Sequence, residues 1–495
     1  MIDQATIDAL RGEVIGEQKM FIDGDWTESQ SGARDNAVSP IDGQVLTQVA
    51  AADRTDVDRA VAAARKSFES GIWSRCEPAF RKKVLHRIGD LIEKHANRLA
   101  VLGVRDNGTE MQMAFGAEPG SSAGTFHYSA ECVDKLYGEI APTSDKILGL
   151  IHHDPVGVVG VIVPWNTPLM ITAWKIGAAL AVGNSVVLKP SEDACLNVLA
   201  LTQLCAEAGL PEGVLNVVTG SGEVVGDAIA RHMDVDVVAF TGSGRVGRAL
   251  LEASAQSNMK RIYLELGGKS PNIVFADAPD LDKAAMVSAK GFFKNSGQIC
   301  VAPSRLIVED SIKEEFVARI VEHAKSIRVG DPLDLDTQMG AINNPRQLKT
   351  VQNFVAAASK EGGEILCGGE QILLETGGTY FQPTVVDGVG PDDTLFRQEV
   401  FGPVLGVTGF KTEAEAIELA NATDYGLAGV IWTQNISRAH RMIGAVNSGV
   451  IQVNSMGRIG NEAPMGGFKQ SGNGVDKSLH AFDKFINLKT AWVHL

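Results

Sequence analysis

Between residues 157 and 265, short apolar runs alternate with stretches that have the apolar spacing of amphipathic helices. The predicted strands are 157–163, 185–189, 214–219, 235–241 and 261–266, and the predicted helices lie near 169–182, 194–208, 223–231 and 245–257. Apolar strands separated by helices are typical of a parallel sheet that helices cover on both faces. The pattern therefore predicts a doubly wound α/β domain.

The alternation of apolar strands and helical stretches starts again after residue 270. Predicted strands at 272–277 and 304–309 flank a helical stretch near 281–294, and a long helix near 312–327 follows. The pattern continues to about residue 470 and predicts a second α/β domain.

The composition is that of an ordinary globular protein, and it excludes several kinds of partner. Asp and Glu total 60 against 45 Lys and Arg, and the net charge of −15 would repel a nucleic-acid backbone. The acidic N-terminus resembles neither a secretory signal nor a transit peptide, and the longest apolar runs are about half the length of a membrane span. The six Cys residues form no C-x-x-C pair, which disfavours a metal site. We therefore expect a cytoplasmic protein that binds neither nucleic acid nor membrane.

Residues 237–252 read VVAFTGSGRVGRALLE and contain the glycine spacing of a dinucleotide-binding turn. Gly242, Gly244 and Gly247 lie between a predicted strand and a predicted helix, where free backbone N–H groups favour an anion. The motif also requires an acidic residue near the end of the next strand, and Glu265 occupies that place. The residues alone leave two interpretations open: a cofactor site with Glu265 on a ribose, or a tight strand-to-helix turn.

Cys300 lies in the segment KNSGQICVAPSR, whose glycine, small polar residues and proline predict a loop. A cysteine that attacks a carbonyl needs a donor for the developing oxyanion and a group that activates water afterwards. Asn166 follows the predicted strand 157–163 and is a candidate donor, because ligand crevices of doubly wound sheets open at the carboxyl ends of strands. A buried structural thiol and a turn asparagine are the alternative interpretations.

Two more segments carry candidate polar groups. The segment VVLKPSE ends a predicted strand with Lys189, Ser191 and Glu192, which suit a ribose or phosphate but also suit a helix start that Ser191 caps. The segment RQEVFGPV places Glu399 and Phe401 between turns, and by itself it is also compatible with a surface loop.

Taken together, these motifs resemble those of the aldehyde dehydrogenase superfamily, and the resemblance covers nearly the whole chain. The matching segments are P-W-N at 164–166, K-P-S-E at 189–192, L-E-L-G-G-K at 264–269, G-Q-x-C at 297–300 and E-x-F-G-P at 399–403. Within the superfamily, SNMKR at 257–261 and the C-terminal segments FKQSGNG and KSLHAF look most similar to the γ-glutamyl-γ-aminobutyraldehyde dehydrogenase group.

The resemblance implies an enzyme that oxidises an aldehyde to a carboxylic acid through a covalent thioester. It implies Cys300 as the nucleophile, Asn166 as an oxyanion donor, Glu265 as the base of thioester hydrolysis and Lys175 as a further catalytic residue. The implied cofactor is NAD, with NADP possible, and its adenine ribose is assigned to Glu192 rather than to Glu265. The implied cofactor contacts are Ile162, Pro164, Trp165, Lys189, Ser191, Glu192, Gly222, Phe240, Gly242, Ser243, Val246, Leu266, Glu399 and Phe401.

The resemblance also implies an aldehyde dehydrogenase-like α/β fold with three parts. A Rossmann-type NAD-binding domain is expected from residues 1–137 and 156–264, and an α/β catalytic domain from residues 265–475. Residues 138–155 and 476–495 are expected to form a small β oligomerisation arm, so we expect a homodimer or homotetramer.

The substrate is the feature on which the sequence is least specific. The segment DNGTEMQMAFGAEPGSS lacks the Lys-Pro pair that often follows Asn-Gly in relatives, and Thr167 stands where many relatives carry a bulky aromatic residue. The residues expected at the substrate tunnel, with plain core packing as the alternative interpretation for about half of them, are Met111, Met113, Phe115, Met170, Ile171, Trp174, Met456 and Met465. They favour a medium-chain, apolar or aromatic aldehyde, because thioethers adapt to irregular apolar shapes.

Three alternative functions are weighed against this interpretation. An ω-aminoaldehyde or its glutamylated form is one alternative, with Glu110, Glu118 or Arg458 recognising its charge. A coenzyme-A-acylating enzyme is disfavoured because Glu265 is present, and a non-catalytic scaffold because both Cys300 and Glu265 are present.

Overall fold

The computed structural model describes residues 2–457 and 460–495, so Arg458 lies outside the described residues. The strands, in chain order, are β1 (Met20–Ile22), β2 (Asp25–Thr27), β3 (Arg34–Val38), β4 (Val45–Ala50), β5 (Glu139–Ala141), β6 (Ile147–Pro155), β7 (Val158–Ile162), β8 (Ser185–Lys189), β9 (Leu215–Val217), β10 (Val237–Thr241), β11 (Arg261–Glu265), β12 (Pro271–Val274), β13 (Arg305–Glu309), β14 (Glu364–Cys367), β15 (Gln371–Ile372), β16 (Tyr380–Phe381), β17 (Thr384–Asp387), β18 (Val404–Phe410), β19 (Tyr425–Gly426), β20 (Ala428–Trp432), β21 (Val450–Val453), β22 (Met465–Gly466), β23 (Phe468–Lys469), β24 (Val475–Asp476) and β25 (Ile486–His494).

The α-helices are α1 (Gln4–Arg11), α2 (Arg54–Ser70), α3 (Pro78–Lys94), α4 (Ala96–Asn107), α5 (Met111–Phe115), α6 (Ser121–Cys132), α7 (Pro168–Val182), α8 (Leu196–Glu207), α9 (Asp227–Arg231), α10 (Gly244–Ala255), α11 (Leu281–Phe293), α12 (Lys313–Ser326), α13 (Pro345–Lys360), α14 (Thr394–Arg397), α15 (Glu413–Asn421) and α16 (Ile436–Ala445). Short π-helical turns at Gly116–Gly120 and Gly222–Gly226 precede α6 and α9.

The first large sheet has seven strands in the order β11-β10-β7-β8-β9-β1-β2. Its strands β7 to β11 are parallel, and the N-terminal hairpin of β1 and β2 extends it with antiparallel pairing. The chain runs outward from β7 to β9 and then returns to the other side of β7 with β10, so the strand order reverses beside β7. Such a reversal opens a crevice at the carboxyl ends of the strands.

Residues in β7, β8, β9 and β10 are buried, which explains their continuous apolar sequences. One apolar core lies where α3, α6, α7 and α8 pack together, and a second surrounds α2, α9 and α10. Two buried apolar faces are what a parallel sheet between helical layers requires.

The second large sheet also has seven strands, in the order β14-β17-β18-β13-β12-β20-β21, and β14 at one edge is its antiparallel strand. Two further apolar cores pack with this sheet and with α11, α12, α13 and α15. The two large sheets confirm the predicted α/β class.

A separate three-stranded sheet has the order β25-β6-β5. Strand β25 pairs with β6 along its whole length, from Ile486 opposite Pro155 to His494 opposite Ile147. The sheet thus joins two segments that lie far apart in the sequence and that the resemblance assigns to the oligomerisation arm.

The strands and helices predicted between residues 157 and 327 are all present, with small differences at their ends. The clearest difference concerns the predicted helix 223–231, which begins as the π-helical turn Gly222–Gly226 and becomes α-helical only at Asp227. Ser221 starts this turn by accepting a hydrogen bond from the Val224 N–H. Within the described residues, no helix combines the length and the apolar character that crossing a membrane requires.

Candidate active site

The predicted site residues come together at the carboxyl ends of the strands around β7. Asn166 follows β7, Glu192 follows β8, Gly242 follows β10, and Glu265 is the last residue of β11. Strands β10 and β11 run parallel with Thr241 opposite Glu265, so both strand ends lie at the same edge of the sheet. We call this region the crevice.

Cys300 lies in the turn that follows a short 3-10 helix, Lys294–Gly297. Asn295, Ser296 and Gly297 in this segment have φ angles of 51°, 51° and 69°. Side-chain hydrogen bonds hold the segment: the Gln298 amide donates to the Asn295 carbonyl over 3.0 Å, and the Ser296 hydroxyl donates to the Gly340 carbonyl over 2.8 Å. The predicted loop therefore has a fixed conformation.

Asn166 points into the same loop. Its side-chain amide is buried and donates to the Gln298 carbonyl over 2.9 Å, two residues before Cys300. The Asn295 amide in turn donates to the Asn166 carbonyl over 3.2 Å. A primary amide carries two N–H groups, so Asn166 keeps one for a second acceptor.

The Cys300 thiol lies in an electrostatic environment that disfavours its thiolate. Burial, and to a lesser extent the nearby carboxylates of Glu399 and Glu265, raise the pKa of Cys300 to about 12. The backbone N–H groups of Cys300 and Val301 act in the opposite direction. Cys300 therefore needs an added positive charge, or the loss of a negative one, before it becomes a strong nucleophile.

Glu265 is buried, and its Oε1 atom has no hydrogen-bond partner among the described residues. Burial raises the pKa of Glu265 well above its usual range, the charge of Asp476 raises it further, and the charges of Lys175 and Lys484 lower it. A carboxylate with a raised pKa and an unoccupied oxygen is suited to take a proton from water.

Lys175, predicted as a catalytic residue, donates to Asp476 over 3.0 Å, and Lys484 forms a second, shorter ion pair with the same carboxylate. All three side chains are buried. Burial acts to raise the pKa of Asp476, but the two ammonium groups hold it at about 2. Glu265 therefore lies beside a fixed negative charge and two fixed positive ones.

Glu399 accepts a hydrogen bond from the Gly268 N–H over 3.0 Å, and burial raises its pKa to about 7. A Cβ atom on Gly267 would lie 1.9 Å from the Glu399 Oε2 atom, so a larger residue there would displace this carboxylate. The ring of Phe401 packs edge-on against Trp165, with 5.2 Å between centroids. The predicted residues of the E-x-F-G-P and P-W-N segments therefore meet across the crevice.

Lys189 is buried at the end of β8 and donates to Glu192 over 3.0 Å. The other Glu192 oxygen accepts from the Gly222 N–H over 3.2 Å. Burial acts to raise the pKa of Glu192, but Lys189 and the hydrogen bonds hold it below its usual value. Ser191 does not cap a helix; its hydroxyl accepts from the Asp193 N–H over 3.3 Å.

The glycine motif forms the start of α10. Ser243 is the N-cap residue, and its side chain accepts from the Val246 N–H. Ser243 is exposed, so the first turn of this twelve-residue helix faces outward. Below it lie the remaining predicted cofactor residues, which are the buried apolar side chains of Ile162, Phe240 and Leu266.

The residues expected at the substrate tunnel divide into two groups. Met111, Ile171 and Met465 are buried and pack in the interior. The other five keep some exposure: Met113, Phe115, Met170, Trp174 and Met456. Glu110 and Glu118, considered as recognition groups for a charged substrate, are each only 2 % exposed and accept backbone N–H groups, so neither carboxylate faces an opening.

Sequence reasoning missed Asp476, Lys484, Asn295 and Lys269. Lys269 is buried, its Nζ atom has no hydrogen-bond partner among the described residues, and burial lowers its pKa to about 7. Lys269 is the last residue of the L-E-L-G-G-K motif, and Asn295 precedes the G-Q-x-C motif, so their positions in the sequence were a usable signal. Asp476 and Lys484 carried no local signal, because only the fold brings them to Glu265.

The family model described as "Aldehyde dehydrogenase family" matches residues 26–491. The NADP/NAD-dependent aldehyde dehydrogenase PuuC of Escherichia coli is 46% identical over 479 residues, which cover 97% of this chain and 96% of PuuC.

Two solved structures have the same fold. The indole-3-acetaldehyde dehydrogenase AldA of P. syringae, in complex with NAD+ and IAA, is 47% identical, with a TM-score of 0.98 and 100% of both chains covered. The γ-glutamyl-γ-aminobutyraldehyde dehydrogenase of Burkholderia cenocepacia is 44% identical, with a TM-score of 0.97 and the same coverage. The family match, the relatives and the arrangement of the crevice agree, and the chain belongs to the aldehyde dehydrogenase family.

Proposed function

We propose that the chain oxidises an aldehyde to a carboxylic acid with NAD, through a thioester on Cys300. The observation that carries the proposal is the convergence of three groups in the crevice. Asn166 donates into the Cys300 loop, and the carboxylate of Glu265 is close enough to Cys300 to raise the pKa of its thiol. A nucleophile, an oxyanion donor and a base are what acyl chemistry on a cysteine requires.

In the first step, the Cys300 thiolate adds to the aldehyde carbon and forms a tetrahedral thiohemiacetal. The oxygen that becomes negative accepts hydrogen bonds from the Asn166 amide and from the Cys300 backbone N–H. One such donor contributes about 3 kcal/mol to transition-state stabilisation. The Gln298 carbonyl fixes one N–H of the Asn166 amide, so the other is already oriented.

After oxidation, the acyl group is held on Cys300 as a thioester, and Glu265 takes a proton from the water that attacks it. The carboxylic acid leaves and the Cys300 sulfur becomes a thiolate again. The raised pKa of Glu265 supports this role, because a carboxylate with a raised pKa is a stronger base than an ordinary one. The presence of Glu265 favours hydrolysis over transfer of the acyl group to coenzyme A.

The residues of the crevice fit NAD. The outward-facing first turn of α10, with Gly242 and Ser243, suits a pyrophosphate, and the charged Glu192 suits ribose hydroxyls. The same charge disfavours the extra phosphate of NADP, so NAD is the preferred cofactor. Glu399, Phe401 and Trp165 would hold the nicotinamide end beside Cys300. When bound, NAD would serve as the oxidant by accepting a hydride.

The substrate class is proposed to be a medium-chain, apolar or aromatic aldehyde. Met113, Met170 and Trp174 expose apolar surface, and the carboxylates that could pair with an amine are buried against backbone amides. The Lys477 Nζ atom lies 4.6 Å from the centre of the Trp174 ring, so an ammonium group there would meet a like charge. The aromatic aldehyde in the name of the P. syringae neighbour supports this class.

An ω-aminoaldehyde is the second candidate, because the γ-glutamyl-γ-aminobutyraldehyde dehydrogenase of Burkholderia cenocepacia is similar to this chain over its whole length. The name of that relative favours it. The contacts of Glu110 and Glu118 in this chain do not.

We also propose the three-part division stated from the sequence, with residues 138–155 and 476–495 as an arm that pairs subunits into a homodimer or homotetramer. Among the described residues no strand pairs with the outer edge of β25, and large apolar side chains of this sheet are exposed: Ile140 73%, Leu488 69% and Trp492 59%. An unpaired edge strand with exposed apolar residues is a surface for another chain.

A measurement of NADH formed in the first turnover distinguishes the roles of Cys300 and Glu265. In Glu265→Gln the thioester forms but is not hydrolysed, so rapid mixing of enzyme, NAD and aldehyde should give one NADH per active site and then almost none. Cys300→Ala should give no burst, and Cys367→Ala, which changes a half-buried thiol outside the crevice, should behave as the wild type. A smooth, slow progress curve for Glu265→Gln would contradict its role as the base.

The environment of Cys300 predicts a pH effect. Since ionised Glu399 raises the pKa of Cys300, Glu399→Gln should lower that pKa and increase the thiolate fraction at pH 8. Alkylation of Cys300 by iodoacetamide, followed by mass spectrometry, should then be roughly threefold faster or more. Glu375→Gln, which changes an exposed carboxylate, is the control. A rate unchanged or lower in Glu399→Gln would show that its charge does not act on the thiol.

The proposed arm predicts the mass of the protein in solution. Light scattering at micromolar concentration should give a dimer or a tetramer, and Leu488→Glu should lower the mass by placing a charge in the interface. Leu374→Glu is a matched control, because Leu374 is 66% exposed but lies outside the arm. A monomeric wild type would refute the assembly.

The proposed substrate class predicts a ratio of rates. The kcat/KM for a medium-chain or aromatic aldehyde should exceed that for an ω-aminoaldehyde by at least about tenfold, which corresponds to roughly two buried methylene groups. Lys477→Met should narrow the ratio by removing the charge beside Trp174. Faster oxidation of the aminoaldehyde by the wild type would establish the second candidate instead.

A further inference from the structure

The segment Gly108–Met111 packs against the Cys300 loop. It connects α4 to α5 and is fixed by backbone bonds: the Met111 N–H donates to Pro332, and the Gly108 carbonyl accepts from Ala341. Thr109 and Glu110 are each only 2 % exposed. Their side chains are therefore held inside the protein, although both are polar.

Both side chains contact one residue, Asn295. The Thr109 hydroxyl donates to the Asn295 Oδ1 atom over 2.8 Å, and the two Glu110 carboxylate oxygens accept from the Asn295 N–H over 3.1 and 3.0 Å. Asn295 has a φ of 51°, so its backbone is held in a conformation that residues other than glycine seldom adopt.

Asn295 passes this constraint to the oxyanion donor. Because the Thr109 hydroxyl occupies Oδ1, the Asn295 Nδ2 atom faces the other way and donates to the carbonyls of Asn166 and Gln298 over 3.2 and 3.4 Å. The Gln298 carbonyl also accepts the Asn166 amide over 2.9 Å. Asn295 therefore links the side chains of Thr109 and Glu110 to the Asn166 amide, the proposed oxyanion donor.

A contribution to stability does not explain why a glutamate is buried at position 110. Among the described residues, no cation lies within 4.0 Å of its carboxylate oxygens, and a buried carboxylate that no cation contacts is destabilising. Burial raises its pKa to about 7, while the Asn295 N–H, its own N–H, the charge of Lys294 and the Gly340 N–H lower it. Because buried Glu110 lowers stability, its presence indicates a role at the Cys300 loop, which it contacts.

We propose that Thr109 and Glu110 are positioning residues for the reaction, which set the oxyanion donors by holding Asn295. The inference rests on the proposed function. Thr109→Val removes the hydroxyl with little change in volume and leaves the Asn295 amide free to turn. Glu110→Gln places an N–H₂ group against the Asn295 N–H, where the second oxygen had been.

The test is the rate of the first turnover at saturating aldehyde and NAD. Thr109→Val and Glu110→Gln should each lower it by about tenfold or more, since misplacing one oxyanion donor has effects of this order. The KM for aldehyde and the Kd for NAD should change by less than about twofold, as should alkylation of Cys300 by iodoacetamide, which forms no oxyanion. Thr109→Ser restores the hydroxyl and should restore the rate.

Two comparisons exclude a merely structural role. Thr125→Val removes another buried hydroxyl, which donates to the Ser121 carbonyl over 2.8 Å, and should keep the wild-type rate. Since the folded-state pKa of Glu110 is raised from 4.5 to about 7, its burial lowers stability most above about pH 7, and this loss shrinks as the pH falls from about 7 towards 4.5. Glu110→Gln should therefore melt at a higher temperature than the wild type at pH 8 while reacting more slowly.

First-turnover rates within twofold of the wild type in both Thr109→Val and Glu110→Gln would overturn the proposal. Equal losses of first turnover, Cys300 alkylation and melting temperature would also overturn it, because they would indicate a misfolded loop. A wild type that forms no NADH from any aldehyde would refute the proposed function, and this inference with it.

Discussion

Asn295, Ser296 and Gly297 have positive φ angles in succession, and the position of Cys300 depends on this turn. Such residues cost about 1–3 kcal/mol each where they are not glycine, and they persist only when their surroundings determine them. At Gly297 a Cβ atom would lie 2.4 Å from the Gly402 carbonyl, so the turn and the segment after Glu399 approach backbone to backbone. Two buried hydrogen bonds hold the rest: the Glu110 carboxylate accepts from the Asn295 N–H, and the Ser296 hydroxyl donates to the Gly340 carbonyl. The loop is thus a product of tertiary contacts.

The crevice contains several poorly solvated carboxylates, and they help to explain the raised pKa of the Cys300 thiol. Glu265 and Glu399 have raised pKa values because they are buried, and each also raises the pKa of Cys300. A positively charged nicotinamide beside Cys300 would act in the opposite direction. The thiol is therefore expected to become reactive when the cofactor binds. Without the cofactor, its raised pKa protects Cys300 from alkylation and oxidation.

Much of the fold and part of the site could be predicted from the sequence. Strands such as β7 and β10 are apolar throughout because both faces of the sheet are covered, so the alternation with helices was visible. Cys300 and Asn166 stand in local motifs. The partners of Glu265 could not be found in this way, because Asp476 lies more than two hundred residues away and reaches it only through the packing of the C-terminal segment on β11.

The glycine motif alone does not distinguish two glutamates, and the structure gives a physical reason for the assignment that the family resemblance implied. The spacing of the motif alone is compatible with Glu265 on a ribose. In the structure, however, Glu265 is the last residue of β11 and forms a β-bridge with Gly472, and its carboxylate is buried beside Asp476. Glu192 instead keeps a third of its side chain exposed and stays charged against Lys189. A ribose requires an accessible, ionised acceptor, whereas a base must be able to hold a proton. The difference in burial therefore supports the assignment of the ribose to Glu192 and of the proton transfer to Glu265.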